Sequence, residues 1–178
     1  MQAEGLRRSV AAIREIIAEE AELLGGKYNH IILAGISQGA ATGVHTLLNL
    51  ALPKGQDGLA AFLGFCCRMP FPGRSLADTR AVLGLENVPQ GDNLLRHTPV
   101  LLEHCADDPL VLVGNGRILR DTLRGFGSKV EWKEYQEGGH WFNSPTGMDD
   151  VVRFLHSLGL TLSRGIQGIG AGDAMDLC

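Results

Sequence analysis

Ser37 stands between two glycines in the run Gly35-Ile36-Ser37-Gln38-Gly39. That spacing suits nucleophilic catalysis at a tight strand-to-helix turn. Such a turn strains the serine backbone and lifts its oxygen above the sheet, and a side chain at either glycine is expected to crowd it. The first amides of the following helix then aim at the same point, where they favour developing negative charge. Glycine makes up 24 of the 178 residues, so the bare pattern arises easily by chance. Its context separates it from chance: the apolar run His30–Gly35 before it reads as a buried strand, and a small-residue stretch from Ala40 reads as a helix after it.

A serine nucleophile needs a base, and the base needs an orienting carboxylate. On a strand–turn–helix serine motif the chain order is Ser, acid, His. His30, His45, His97 and His104 come too early for that order, and two histidines remain. His156 falls in an apolar-periodic stretch with Val151, Val152, Phe154, Leu155 and Leu158, and reads as helix surface. His140 lies in Glu137-Gly138-Gly139-His140-Trp141-Phe142, a glycine-flanked loop from which an imidazole can reach Ser37. Asp107 and Asp108 follow the apolar run Val100–Cys105. Asp108 precedes Pro109, which restricts it to extended backbone, and it is the expected acid. Asp107 is the alternative, and either also suits a plain turn. Leu110, Val111, Trp141 and Phe142 flank these positions and read either as acyl-chain contacts or as core. Cys66, Cys67 and Cys105 read as core thiols, because no histidine follows them in a matching role.

The elements that must position these groups follow from periodicity. Leu6, Val10, Ile13, Ile17 and Leu24 form one face of an amphipathic helix stopped by Gly25-Gly26. Besides His30–Gly35, the runs at 58–67, 98–105 and 128–136 read as strands. The last of these alternates and is placed near an edge. Helices are expected over Ala40–Leu50, 116–126 and 146–158. Residues 69–97 are rich in Pro and Gly and read as a long excursion with little regular structure. Strands alternating with helices predict an α/β fold, a parallel sheet covered on both faces, formed by residues 1–158 as one domain. The glycine-rich segment 159–178 reads as a loose tail. Active sites of such sheets lie at the carboxyl ends of the strands. That rule selects Ser37, Cys66-Cys67, residues 106–108 and residues 138–140.

Composition narrows the function. A hydrophobic content of 44% with 20% charged residues is globular. The net charge of −4, with no basic stripe, excludes a nucleic-acid binder. No apolar run has the length of a membrane span, and the stretch after Met1 lacks the apolar centre of a signal peptide. The four cysteines form no C-x-x-C pair, and the six histidines lack zinc-ligand spacing. Reduced thiols and a cytoplasmic protein are expected.

Three segments, "GISQGAATGVHTLL", "EHCADDPLV" and "GGHWF", occur in order. Together they resemble the acyl-protein thioesterase/carboxylesterase family of α/β hydrolases, from about Leu6 to Leu158. The resemblance implies Ser37 as nucleophile, Asp108 as acid and His140 as base, with no metal or organic cofactor. It implies a serine hydrolase acting on acyl thioesters of membrane-attached proteins, lysophospholipids or short carboxylic esters. An acylated protein or small ester is then the partner, with transient contact to a membrane surface. The chain departs from the family pattern at Cys105, where a glycine is usual, at Leu112, where a proline is common, and at Arg68, often an aromatic. It also lacks, before Ser37, the family's L-H-G-x-G-D segment and the N-terminal strands around it. The Gln38 amide supplies one oxyanion donor, and the second is expected to be missing, a loss of about 100- to 1,000-fold in kcat. The strand before Ser37 is expected at a sheet edge, open to self-association. The alternative reading is a truncated, non-catalytic relative that binds acyl groups or a partner chain, or is an incomplete gene product. Another α/β-hydrolase activity, of dienelactone-hydrolase or peptidase type, is a third reading, less favoured by Gln38 and the "DPLV" segment.

Overall fold

A computed structural model describes residues 3–160. All but the first two residues of the glycine-rich segment from Gly159 therefore lie outside the described residues. Helix α1 (Ala3–Leu23) buries Leu6, Val10, Ile17 and Ala21, the stripe read from its periodicity. A single 3-10 turn (Tyr28–His30) leads into β1 (Ile32–Ile36), α2 (Ser37–Asn49) and β2 (Ala61–Phe65). Two short helices, α3 (Leu76–Ala81) and α4 (Asn93–His97), precede β3 (Val100–Cys105). Helix α5 (Val113–Gly125), β4 (Val130–Tyr135) and α6 (Thr146–Ser157) complete the order.

The four strands form one parallel sheet in the order β1-β2-β3-β4. Residues of one strand alternate between its faces. Phe62, Val100 and Leu102 pack against α2 and α5 through Leu47, Leu119 and Leu123. Ala61, Leu63, Phe65 and Leu101 pack on the opposite face with Phe154 of α6. The central strands β2 and β3 are buried on both faces, which is why their sequences run apolar rather than alternate. The outer strands β1 and β4 are only half buried, and Ile32 is 40% exposed. Both stand at sheet edges, as expected.

Three expectations are corrected. Residues 69–97 are not merely irregular. The Ser75 hydroxyl accepts from the Asp78 amide at 3.1 Å and donates to its carboxylate at 2.6 Å, capping α3. From that helix Arg80 donates to the carbonyls of Leu48 and Gly91, at 2.6 and 2.9 Å, and so satisfies the end of α2. The second strand begins at Ala61 rather than at Gly58, because Leu59 instead donates its amide to the Thr98 hydroxyl at 3.0 Å. The crowding expected at both glycines of the serine motif holds only at the first. A Cβ on Gly35 would sit 2.6 Å from the Ala40 nitrogen, whereas a Cβ on Gly39 would meet nothing within 4 Å.

Candidate active site

Ser37 is the first residue of α2 and has φ 53, a left-handed conformation that costs a non-glycine residue energy. The residue before it, Ile36, is still extended, at φ −118 and ψ 144. The chain therefore reverses direction within one residue, and the close approach of Gly35 to Ala40 allows it. The Ser37 hydroxyl is left above the strand ends, beside the first amides of α2. Those amides have no acceptor within the helix.

The acid comes from the turn after β3. Asp108 is 2% exposed. Its Oδ1 accepts from the amides of Leu110 and Val111, each at 2.9 Å. Its Oδ2 accepts from His140 Nδ1 at 2.8 Å. Burial pushes this carboxyl up, but the hydrogen bonds from His140, Val111 and Leu110 outweigh it and hold it below the ordinary carboxylate range. An ionised Asp108 fixes the proton of His140 on Nδ1. The other ring nitrogen, Nε2, is then bare and accepts from the Ser37 hydroxyl at 2.8 Å. His104 lies behind the acid. Its Nε2 donates to the Val111 carbonyl at 2.7 Å and approaches Asp108 Oδ2 to 3.3 Å.

The loop carrying His140 is tied on both sides. Before it, the amides of Gly138 and Gly139 donate to the Asp107 carboxylate at 3.3 and 2.8 Å. After it, the Cys66 thiol donates to the Trp141 carbonyl at 3.3 Å. Gly138 has φ 140, and a Cβ there would lie 2.6 Å from Cys105 Sγ, so this position demands glycine twice over. The two adjacent aspartates thus hold different things: Asp108 the imidazole, Asp107 the backbone beside it.

The residues selected by the strand-end rule meet at one place, each from a different strand: Ser37, Cys66, Asp107 with Asp108, and His140. Ser37 and His140 open into a cavity of about 550 Å³ that Leu110, Val111 and Gln38 also line. Trp141 and Phe142 do not line it. Phe142 packs edge-on against Phe65, and Trp141 packs edge-on against Phe142 while remaining 64% exposed. Of the other histidines, His45 is fully buried, its Nε2 facing the Pro70 carbonyl at 3.3 Å. The tie from Cys66 and the backing by His104 were not assigned from the sequence. Position at a strand end is the one signal for Cys66, and His104 falls in the "EHCADDPLV" segment that carries the resemblance, with no role given to it there.

Cys66, Asp108 and His140 each offer one metal-ligating atom, all within 4.8 Å of one another. A cation bound there would have to break the Asp108–His140 hydrogen bond. It would also have to ionise a thiol that burial and the neighbouring Asp108 push up to about 12.

The family described as phospholipase/carboxylesterase matches residues 1–158. Acyl-protein thioesterase 1 of Gibberella zeae is 28% identical over 153 residues, which are 85% of this chain and 57% of that protein. The solved structure of SOBER1 from Arabidopsis thaliana superposes with a TM-score of 0.68 at 23% identity, over 86% of this chain and 64% of that one. That of acyl-protein thioesterase 2 from Zea mays gives 0.61 at 24% identity, over 84% and 65%. These two structures share the fold. The chain thus spans less than two thirds of the length of each of these relatives.

Proposed function

Because the chain belongs to the phospholipase/carboxylesterase family of α/β hydrolases, we propose that it hydrolyses carboxylic esters and acyl thioesters through an acyl-enzyme on Ser37. The observation that carries this reading is the continuous hydrogen-bonded line from Asp108 through His140 to Ser37, with both bonds at 2.8 Å. As Ser37 Oγ bonds to the acyl carbonyl carbon, its proton passes to His140 Nε2, and Asp108 stabilises the imidazolium. The Gln38 amide donates to the oxygen that gains charge. Collapse of this intermediate breaks the bond to the leaving oxygen or sulfur, which takes the proton from Nε2. Water then gives a proton to Nε2 as it attacks the acyl-enzyme, and Ser37 leaves with that proton. The chemistry calls on no metal or organic cofactor.

Likeness to a protein named acyl-protein thioesterase supports an acylated protein as substrate. Leu110 and Trp141, 74% and 64% exposed beside the site, suit contact with an acyl chain or, transiently, a membrane surface. No described helix is long and apolar enough to cross a membrane. The free thiols Cys66, Cys67 and Cys105 support a reducing, cytoplasmic setting. The test is labelling of the purified chain with a fluorophosphonate probe, beside Ser37→Ala and His140→Ala. Labelling of the parent that both substitutions abolish is expected. A folded parent that takes no label, or a Ser37→Ala variant that still does, would overturn the reading.

A further inference from the structure

The cavity in front of Ser37 contains a cation that the mechanism does not use. Arg68 lines it together with Ser37 and His140. It is the one exposed residue among 61–70. The neighbouring Cys67, Met69 and Pro70 are buried, so the Arg68 side chain projects from a fixed stretch of backbone. Elsewhere Arg96, Arg117, Arg120 and Arg153 each pair with a carboxylate. Arg68 has no carboxylate within ion-pair distance among the described residues, and no acidic side chain lines the cavity. Asp108, the nearest carboxylate to the reacting atoms, lies behind His140 and is already committed to three hydrogen bonds. The remaining polar lining comes from Asn115, whose side-chain amide donates to the Leu112 carbonyl at 3.3 Å and leaves its own carbonyl free to accept, and from Gln38. The amino-terminal end of α2, a helix of 13 residues, adds partial positive charge at the same place. A cavity of this kind, cationic beside the nucleophile and apolar only at Leu110, Val111 and Ala41, is electrostatically unmatched when filled by a neutral acyl chain alone.

We propose that Arg68 selects esters or thioesters that carry an anionic group near the scissile carbonyl, binding that group as a guanidinium–anion pair. This rests on the reading of Ser37 as nucleophile and adds the substrate class to it. A guanidinium offers two parallel N–H donors to a carboxylate, and a charge-assisted pair of this kind shifts selectivity by about 10- to 100-fold.

The test compares two pairs of chromogenic esters. In one pair the acyl part differs, 4-nitrophenyl glutarate monoester against 4-nitrophenyl butyrate. In the other the alcohol differs, the butyrate of 4-hydroxybenzoate against the butyrate of its methyl ester. The parent is expected to favour the anionic member of at least one pair in kcat/KM. Arg68→Gln should lower that anionic-to-neutral ratio about 10- to 100-fold, Arg68→Lys should restore part of it, and raising the salt should shrink it in the parent. The two pairs show on which side of the scissile bond the anion sits. A ratio unchanged within about twofold in Arg68→Gln would overturn the proposal. If no ester is turned over, calorimetric binding of the glutarate monoester and the butyrate to Ser37→Ala decides it separately. Preference for the anionic ester that depends on Arg68 supports the proposal, and equal binding overturns it, while failed labelling of the parent bears on Ser37 alone.

Discussion

Asp108→Asn removes a charge while leaving a side chain of the same shape. The Oδ1 position keeps its bonds from the Leu110 and Val111 amides, so the carboxamide nitrogen must occupy the Oδ2 position and face His140 Nδ1. Two N–H groups then oppose each other, and the ring relieves the clash by moving its proton to Nε2. In that tautomer it cannot take the Ser37 proton. For a serine triad the equivalent change lowers kcat by about 10,000-fold. That is about 5.5 kcal/mol of transition-state stabilisation at about 1.4 kcal/mol per decade. Asp107→Asn tests the neighbouring carboxylate under the same assay. Its oxygen can keep the 2.8 Å bond from Gly139 and lose only the 3.3 Å bond from Gly138. Asp107 is exposed, so the loss is about 1 kcal/mol and at most about tenfold in kcat/KM. Release of 4-nitrophenol from the butyrate ester, with urea midpoints to confirm folding, measures both. Equal losses in the two variants, large or small, would refute the assignment of Asp108 to the imidazole and Asp107 to the backbone.

The two glycines of the serine motif should respond oppositely to alanine. Gly35→Ala places a methyl against the Ala40 and Gly39 backbone and should cost about 1–3 kcal/mol, while Gly39→Ala enters open space on a helix and should gain up to about 1 kcal/mol, both read from urea unfolding. Glu103 is 3% exposed, and burial together with Asp150 raises its carboxyl from 4.5 to about 7. The folded chain therefore holds this proton to higher pH than the unfolded chain, and the stability it confers is full below about pH 4.5 and lost as pH rises through about 7. Glu103→Gln should remove that loss, on the order of 3 kcal/mol, so its urea midpoint relative to the parent should rise between pH 5 and pH 8. A pH-independent difference would refute the shift. Cys66→Ala removes the tie to the Trp141 carbonyl and should lower kcat about three- to tenfold, with Cys66→Ser recovering most of it because a hydroxyl also donates.

The main lines of fold and site were legible because they rest on local signals. Unbroken apolar runs at Ala61–Phe65 and Val100–Cys105 marked strands buried on both faces. The alternation in Val130–Tyr135 marked an edge, and glycine spacing marked the turn at Ser37. What escaped depends on partners distant in sequence. Cys66 and Trp141 are 75 residues apart, and Asp107 and Gly139 are 32 apart. No local pattern announces either pairing, so Cys66 read as a core thiol and Asp107 as a substitute acid. Helices α3 and α4, of 6 and 5 residues, are too short to show an apolar period. A serine at 75 followed three residues on by Asp78 is the one local pattern from which α3 could be read. The motif pairs Gly39 with Gly35, but the crowding lies only on the strand side of the turn, at Gly35.

The loop after β4 does more than present an imidazole. It leaves one margin of the sheet, is held by Asp107 above β3 and by Cys66 above β2, and delivers His140 to Ser37 on the far margin. It is a strap across the full width of the sheet, and its last stitch is a single hydrogen bond. Local opening begins where few apolar groups are buried, and among the described residues the half-buried β1 and β4 own the two ends of that stitch. The proposed ester turnover should therefore fade under mild denaturant before circular dichroism reports any loss of structure, making it a gauge of the sheet's margins.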